Sequence, residues 1–197
     1  MSVRIIVPHR GLAAAKTRLA PVLDHAEREA LALRLLQQVL RVAREACRDV
    51  VVISPSAALE PVVRAAGARL VVQHGMGLNA GLDQARAEAS SDGVTTLVVL
   101  HGDLPNLLAD DVRALIAAAP TPGVAIAPDR AGSGTNGLAL TPPDVIAFRF
   151  GIGSCAAHLG AAREAGVPAV EVHRPGLAFD LDTPADLARW IELGSAA

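Results

Sequence analysis

The sequence predicts an α/β domain built on a mostly parallel sheet flanked by helices, and three observations predict it. Short runs rich in β-branched residues alternate with segments of helical periodicity along the whole chain. No linker, internal repeat or low-complexity tract interrupts the alternation, so residues 1–197 read as a single domain long enough to bury a sizeable core. The 39 alanines against four aromatics predict close packing of helix on sheet through small side chains.

The elements follow in order. Val3 to Pro8 is a short β-branched run ending on proline, a first buried strand. A loop from His9 to Pro21 is rich in alanine and cations. Asp24 and Glu27, three apart, match a capping box, and the helix they open carries Leu31, Leu35, Leu36, Val39 and Leu40 on one side. Asp49 to Ser54 is a second strand stopped by Pro55, Leu59 to Ala66 a short helix with Gly67 at its C′ position, and Arg69 to Val72 a third strand. The glycine-broken loop His74 to Asn79 opens a helix running through Ala89. Thr95 to Leu100 is a central strand that runs straight into His101-Gly102-Asp103-Leu104-Pro105. A helix from about Asp110 to Ala119 precedes the strand Val124 to Ala127, and a second glycine-broken loop, Gly132 to Asn136, precedes the strand Gly137 to Thr141. Ser154 to Ala165 is helical, Ala169 to Val172 extended, and Phe179 to Asp182 a last short strand. Thr183, Pro184 and Asp186 then serve as N-cap, N1 and N3 of the final helix.

Composition excludes several classes. A formal charge of −2 argues against nucleic-acid binding through a basic face. Arg, Asp, Gly or Pro interrupts every hydrophobic stretch, so no run of about 18 apolar residues spans a membrane. The N-terminus enters a strand at once without a signal-peptide apolar region, and the expectation is a cytoplasmic protein. Cys47 and Cys155 form neither a disulfide framework nor a Cys-x-x-Cys metal spacing.

In sheets of this kind ligands bind beyond the carboxyl ends of the strands, and the chemistry-bearing residues collect there. Of 18 basic residues, 17 are arginines and one, Lys16, is lysine, a compact point charge where arginine is a planar fork. Lys16 lies with Arg10 and Arg18 after the first strand, a cluster suited to a triphosphate or another anion, although neither a P-loop nor a G-x-G-x-x-G turn is present. The bland alternative is a solvated basic loop. Asp103 ends a buried strand, where a carboxylate is costly unless paired or metal-bound; otherwise it is a turn residue. Asp180 and Asp182, two apart on an extended segment, share a face and could hold Mg²⁺; Asp182 also sits where a helix N-terminus favours an acid. Gly132 to Asn136 and Phe150 to Ser154 offer backbone N–H groups and hydroxyls, with Ser154 opening a helix as either anion site or simple cap. Cys155 reads as packing. Cations after strand one, an Asp ending a central strand and an Asp pair near the last helix together describe a metal-dependent nucleotidyl or glycosyl transferase. Asp180 to Thr183 also resembles the D-x-D-x-T motif of haloacid-dehalogenase phosphatases, but there it follows the first strand.

Read as an ordered set, Val7-Pro8-His9-Arg10, Ala15 to Leu19, Gly77-Leu78-Asn79, Gly102 to Pro105, Pro128-Asp129-Arg130 with Gly134-Thr135-Asn136, Phe150-Gly151 with Ser154 and His158, and Asp180 to Leu187 resemble the 2-phospho-L-lactate or phosphoenolpyruvate guanylyltransferases of coenzyme F-420 biosynthesis. The resemblance covers nearly the whole chain. It implies a fold like the nucleotide-diphosphosugar transferases, Rossmann-like, and transfer of a guanylyl group from GTP to a three-carbon phospho-acid. By position it implies Lys16, Arg18 and Arg10 at the triphosphate, Asp103, Asp180 and Asp182 on Mg²⁺, and Thr135, Gly151 and Ser154 at the phospho-acid. It also sets Gly75, Leu78 and Asn79 near the guanine. Arg10 stands where the family commonly has lysine, and His101 departs from the small apolar residue expected there. A molybdenum-cofactor or sugar nucleotidyltransferase of the same fold, and an inert nucleotide-binding regulatory module, are the alternatives. A homodimer fits the apolar composition.

Overall fold

The computed structural model describes residues 2–195. Seven strands form one sheet: β1 Val3–Pro8, β2 Val50–Ser54, β3 Arg69–Val72, β4 Thr96–Leu100, β5 Gly123–Pro128, β6 Thr135–Thr141 and β7 Ala169–Glu171. Their order across the sheet is β3-β2-β1-β4-β6-β5-β7. All pairings are parallel except those of β6, which runs against both β4 and β5. The mostly parallel α/β reading holds.

The helices are α1 His25–Ala46, α2 Glu60–Ala65, α3 Leu78–Ser91, α4 Ala109–Ala118, α5 Ser154–Glu164, α6 Pro175–Ala178 and α7 Pro184–Ser195. The expected capping box is present: the Glu27 amide donates to Asp24 Oδ1 and the Asp24 amide to Glu27 Oε2, both at 2.8 Å. At α7 the Asp186 carboxylate accepts from the Thr183 amide and hydroxyl at 2.9 and 2.7 Å. Strands β1, β2 and β4 bury residues on both faces, and two apolar layers result. One packs Ile5, Val7, Val52, Val98 and Leu100 under Leu36, Leu40 and Leu115; the other packs Ile6, Ile53, Leu97 and Val99 under Leu82, Ala85 and Phe148.

Two elements differ from expectation. Phe179 to Asp182 is extended but joins no sheet. Phe179 and Leu181 are buried while Asp180 and Asp182 are half-exposed, so the period-2 alternation is real. What is missing is a neighbouring strand: the segment is anchored by the Leu181 amide, which donates to the Asp103 carbonyl at 3.1 Å. The helix α6 was not expected, four residues being too short to show periodicity. Gly176 permits it, because a Cβ there would collide with the Asp111 carboxylate.

Candidate functional site

The ends of β1 and β4 and the start of β6 lie on one edge, since β6 is antiparallel and pairs its Gly137 with Leu100. The His101 amide extends that ladder by donating to the Asn136 carbonyl at 3.0 Å. This edge collects the cationic loop after β1, the His101 to Pro105 turn and the extended 179–183 segment.

Lys16 is the centre. Among the described residues it is the one non-glycine with a positive φ, 54°, a backbone position that is costly without a compensating interaction. Its side chain, 6% exposed, donates to Asp103 Oδ2 at 2.8 Å and to Asp182 Oδ1 at 3.0 Å. Burial opposes the ammonium's charge, but the two carboxylates outweigh it and hold its pKa above the ordinary value. Burial likewise works against ionised Asp103, and Lys16 overcomes it, holding that carboxyl below the usual range. Arg18 lies 3.7 Å from Asp182 Oδ2 and is largely exposed, while Arg10 is exposed with no ion pair among the described residues. Neighbouring His9 is pushed down to about 4, first by burial.

Asp180 is placed differently. It receives Asn136 Nδ2 at 3.2 Å, and that amide also donates to the Leu177 carbonyl at 3.0 Å. Leu177 sits on α6, fixed in turn by Arg174 Nε on the buried Asp111 at 2.8 Å. Burial raises the Asp180 pKa against the Asn136 hydrogen bond, with Asp103 and Asp182 adding repulsion. The sequence places Asn136 in the Gly132 to Asn136 loop and in the family motif without a role of its own; the structure sets it inside the fully buried β6, where a polar side chain needs partners.

Asp103, Asp180 and Asp182 therefore face one another electrostatically, and the Asp103 Oδ1 atom is buried with no partner. Among the described residues no three such side chains are gathered as a ready metal cage, because Lys16 stands between Asp103 and Asp182. The all-oxygen donor set and the orphaned carboxylate oxygen fit a hard divalent cation.

The remaining expected residues form a second cluster. Thr135 is buried at the head of β6, its Oγ1 3.1 Å from His158 Nδ1, and His158 Nε2 accepts from the Arg149 amide at 3.0 Å. Ser154 is the first residue of α5, behind Gly153 in the left-handed region, and Gly151 is exposed with φ 140°. Asn79 closes on the Phe150 peptide from both sides, donating to its carbonyl at 3.1 Å and accepting from its amide at 3.0 Å. Leu78 starts α3 and is half-buried; Gly75 is exposed, and its carbonyl accepts from Gln73 Nε2 at 2.6 Å. The Phe150 ring lies between His101, at 5.6 Å, and His158, edge-on at 4.8 Å. A concavity of about 550 Å³ against α1 and α2, lined by Gln37, Arg41, Arg44 and Val62, touches none of these residues.

The family described as "Guanylyl transferase CofC like" matches residues 3–196. A phosphoenolpyruvate guanylyltransferase of Sphaerobacter thermophilus is 45% identical over 95% of this chain and 91% of its own. Among solved structures, a candidate nucleotide-diphospho-sugar transferase from Desulfovibrio desulfuricans G20 superposes with a TM-score of 0.80 at 21% identity, over 98% of this chain and 88% of that one. Glucosyl-3-phosphoglycerate synthase from Mycobacterium tuberculosis, solved with Mg²⁺ and uridine diphosphate, has a TM-score of 0.62 at 13% identity, over 87% and 69%. These two likenesses carry the fold alone.

Proposed function

The chain belongs to the CofC-like guanylyl transferase family, and from that premise we propose that it joins the guanylyl group of GTP to the phosphate of phosphoenolpyruvate or a close three-carbon analogue such as 2-phospho-L-lactate. A phosphate oxygen of the acid attacks the α-phosphorus of GTP. The new P–O bond forms as the bond to the bridging oxygen of the β-phosphate breaks, and pyrophosphate departs with that electron pair.

The observation that carries the reading is the Lys16 ammonium held between Asp103 and Asp182. It supports assigning one edge of the sheet to both the cationic triphosphate contacts and the carboxylates. Lys16 and Arg18, with Arg10 at the rim, are the groups that would neutralise the departing pyrophosphate. Asp103, Asp180 and Asp182 would hold Mg²⁺, which when bound would withdraw charge from the triphosphate. Loading that cation requires Lys16 to leave the carboxylates, and the triphosphate is the anion that would receive it. Gly75, Leu78 and Asn79 border the guanine side; one Asn79 N–H and one lone pair remain beyond its bonds to Phe150. Thr135, Gly151 and Ser154 take the phospho-acid. Coenzyme F-420 biosynthesis as the pathway, a cytoplasmic location and a homodimer complete the proposal.

Phosphorus NMR of a reaction containing GTP, Mg²⁺ and phosphoenolpyruvate tests it. The expected result is a pair of coupled diphosphate-diester signals growing with free pyrophosphate. Inorganic phosphate as the sole product would overturn transfer in favour of hydrolysis.

A further inference from the structure

The imidazole of His158 is fully buried, and each of its nitrogens has one described partner. The Arg149 amide can only donate, so Nε2 must present its lone pair. The imidazolium and the Nε2–H tautomer would each set two hydrogens against one another there. Were Thr135 to donate to Nδ1, both nitrogens would be acceptors and the ring an imidazolate. One arrangement remains: hydrogen on Nδ1, donated to Thr135 Oγ1. Burial first, then the charges of Arg149 and His101, keep this ring neutral, with a pKa pushed down to about 4. The Phe150 ring packs edge-on against it, centroids 4.8 Å apart.

The consequence falls on Thr135. Its oxygen is already an acceptor, and its own hydrogen has no acceptor among the described contacts. Thr135 stands at the head of β6, where the Cys155 amide donates to the Ser133 carbonyl at 3.1 Å, so its hydroxyl faces the first turns of α5, the helix that Ser154 opens. We propose that His158 is a positioning residue: it obliges the Thr135 hydroxyl to act as a donor, and so selects an anionic oxygen of the phospho-acid at this subsite. The inference rests on the function proposed above and deepens it. His158 touches no reacting atom.

The test has two arms on the full chain. Long-range ¹H–¹⁵N NMR of the ligand-free protein at pH 7 should show one imidazole with its proton on Nδ1 and a bare Nε2, assigned by loss of its signals in His158→Phe or, should that variant not fold, by their shift in Thr135→Val. A proton on Nε2 overturns the proposal whatever the enzyme's substrate. In the kinetic arm, Thr135→Val should raise the KM for phosphoenolpyruvate about tenfold while the KM for GTP changes less than twofold, with Thr135→Ser recovering most of the loss. His158→Phe should do the same, and the double variant should be little worse than either single one. Additive losses, or an unchanged KM for phosphoenolpyruvate in Thr135→Val, overturn it. A wild-type protein that transfers no guanylyl group to any phospho-acid overturns the functional reading and this proposal with it, leaving the tautomer intact.

Discussion

Lys16 and Asp103, 87 positions apart in the chain, meet at 2.8 Å through a nearly buried ammonium. The contact joins the loop after the first strand to the end of the central one, and its second arm reaches Asp182. A tethered cation thus sits between two carboxylates, where a divalent ion would otherwise be needed to offset their repulsion.

Removing that ammonium should expose the balance. Lys16→Ala strips buried Asp103 of its partner and leaves the half-exposed, partly screened Asp182 with Arg18 alone at 3.7 Å, and should cost roughly 1–3 kcal/mol of stability in chelator. Mn²⁺ should restore most of that loss in the variant and add little to the wild type without nucleotide. Thermal unfolding with chelator and with Mn²⁺ measures both. Equal stabilisation of the two proteins by Mn²⁺ would show that Lys16 does not occupy the cation's place.

Asn79 closes on the Phe150 peptide with two hydrogen bonds. Asn79→Ala should free the loop leading to Ser154 and raise the KM for the phospho-acid by about fivefold to twentyfold, the worth of one or two such bonds. Two-substrate kinetics decide it. A rise confined to GTP would mean that Asn79 serves the guanine side alone and that the Phe150 loop keeps its place without it.

Much of this architecture was legible in the sequence. The strand and helix periodicities were clear wherever an element was long or two-sided, as in β4 and α1, and the caps at Asp24 and Thr183 were written in residue type. Strand direction was not, because period-2 burial is the same in either sense; the six residues between Pro128 and Thr135 were the available sign, too few for a parallel crossover. Phe179 to Asp182 alternated like a strand because Leu181 is buried against Leu19, Leu31 and Leu35 and Phe179 lies under Arg130, with no strand beside either. The contributors to the site were recognisable singly and as an ordered motif. Their pairings were not, since Lys16 to Asp182 spans 166 positions and no local rule encodes it. The tautomer of His158 required both of its partners in space.

Stability should fall in mild acid. His9 and His158 have folded pKa values of about 4, pushed down first by burial, against an unfolded value near 6.5. Between those limits the unfolded chain binds the extra protons. The stability is therefore complete above pH 6.5 and declines as the pH drops toward 4. Urea unfolding at pH 7.5 and pH 5 should differ by about 2–4 kcal/mol from these two rings together. A stability unchanged over this range would contradict the neutral, buried assignment of both.

If the cluster around Lys16 performs guanylyl transfer, the wild type releases pyrophosphate only as GTP is consumed with the phospho-acid. With GTP, Mg²⁺ and phosphoenolpyruvate, the wild type should release one pyrophosphate per GTP consumed. Asp180→Asn, which keeps the size of the side chain while removing its charge, should lower the rate by at least a hundredfold in a protein of near-native stability. Asp180→Asn turning over at the wild-type rate would contradict the assignment of guanylyl transfer to this cluster.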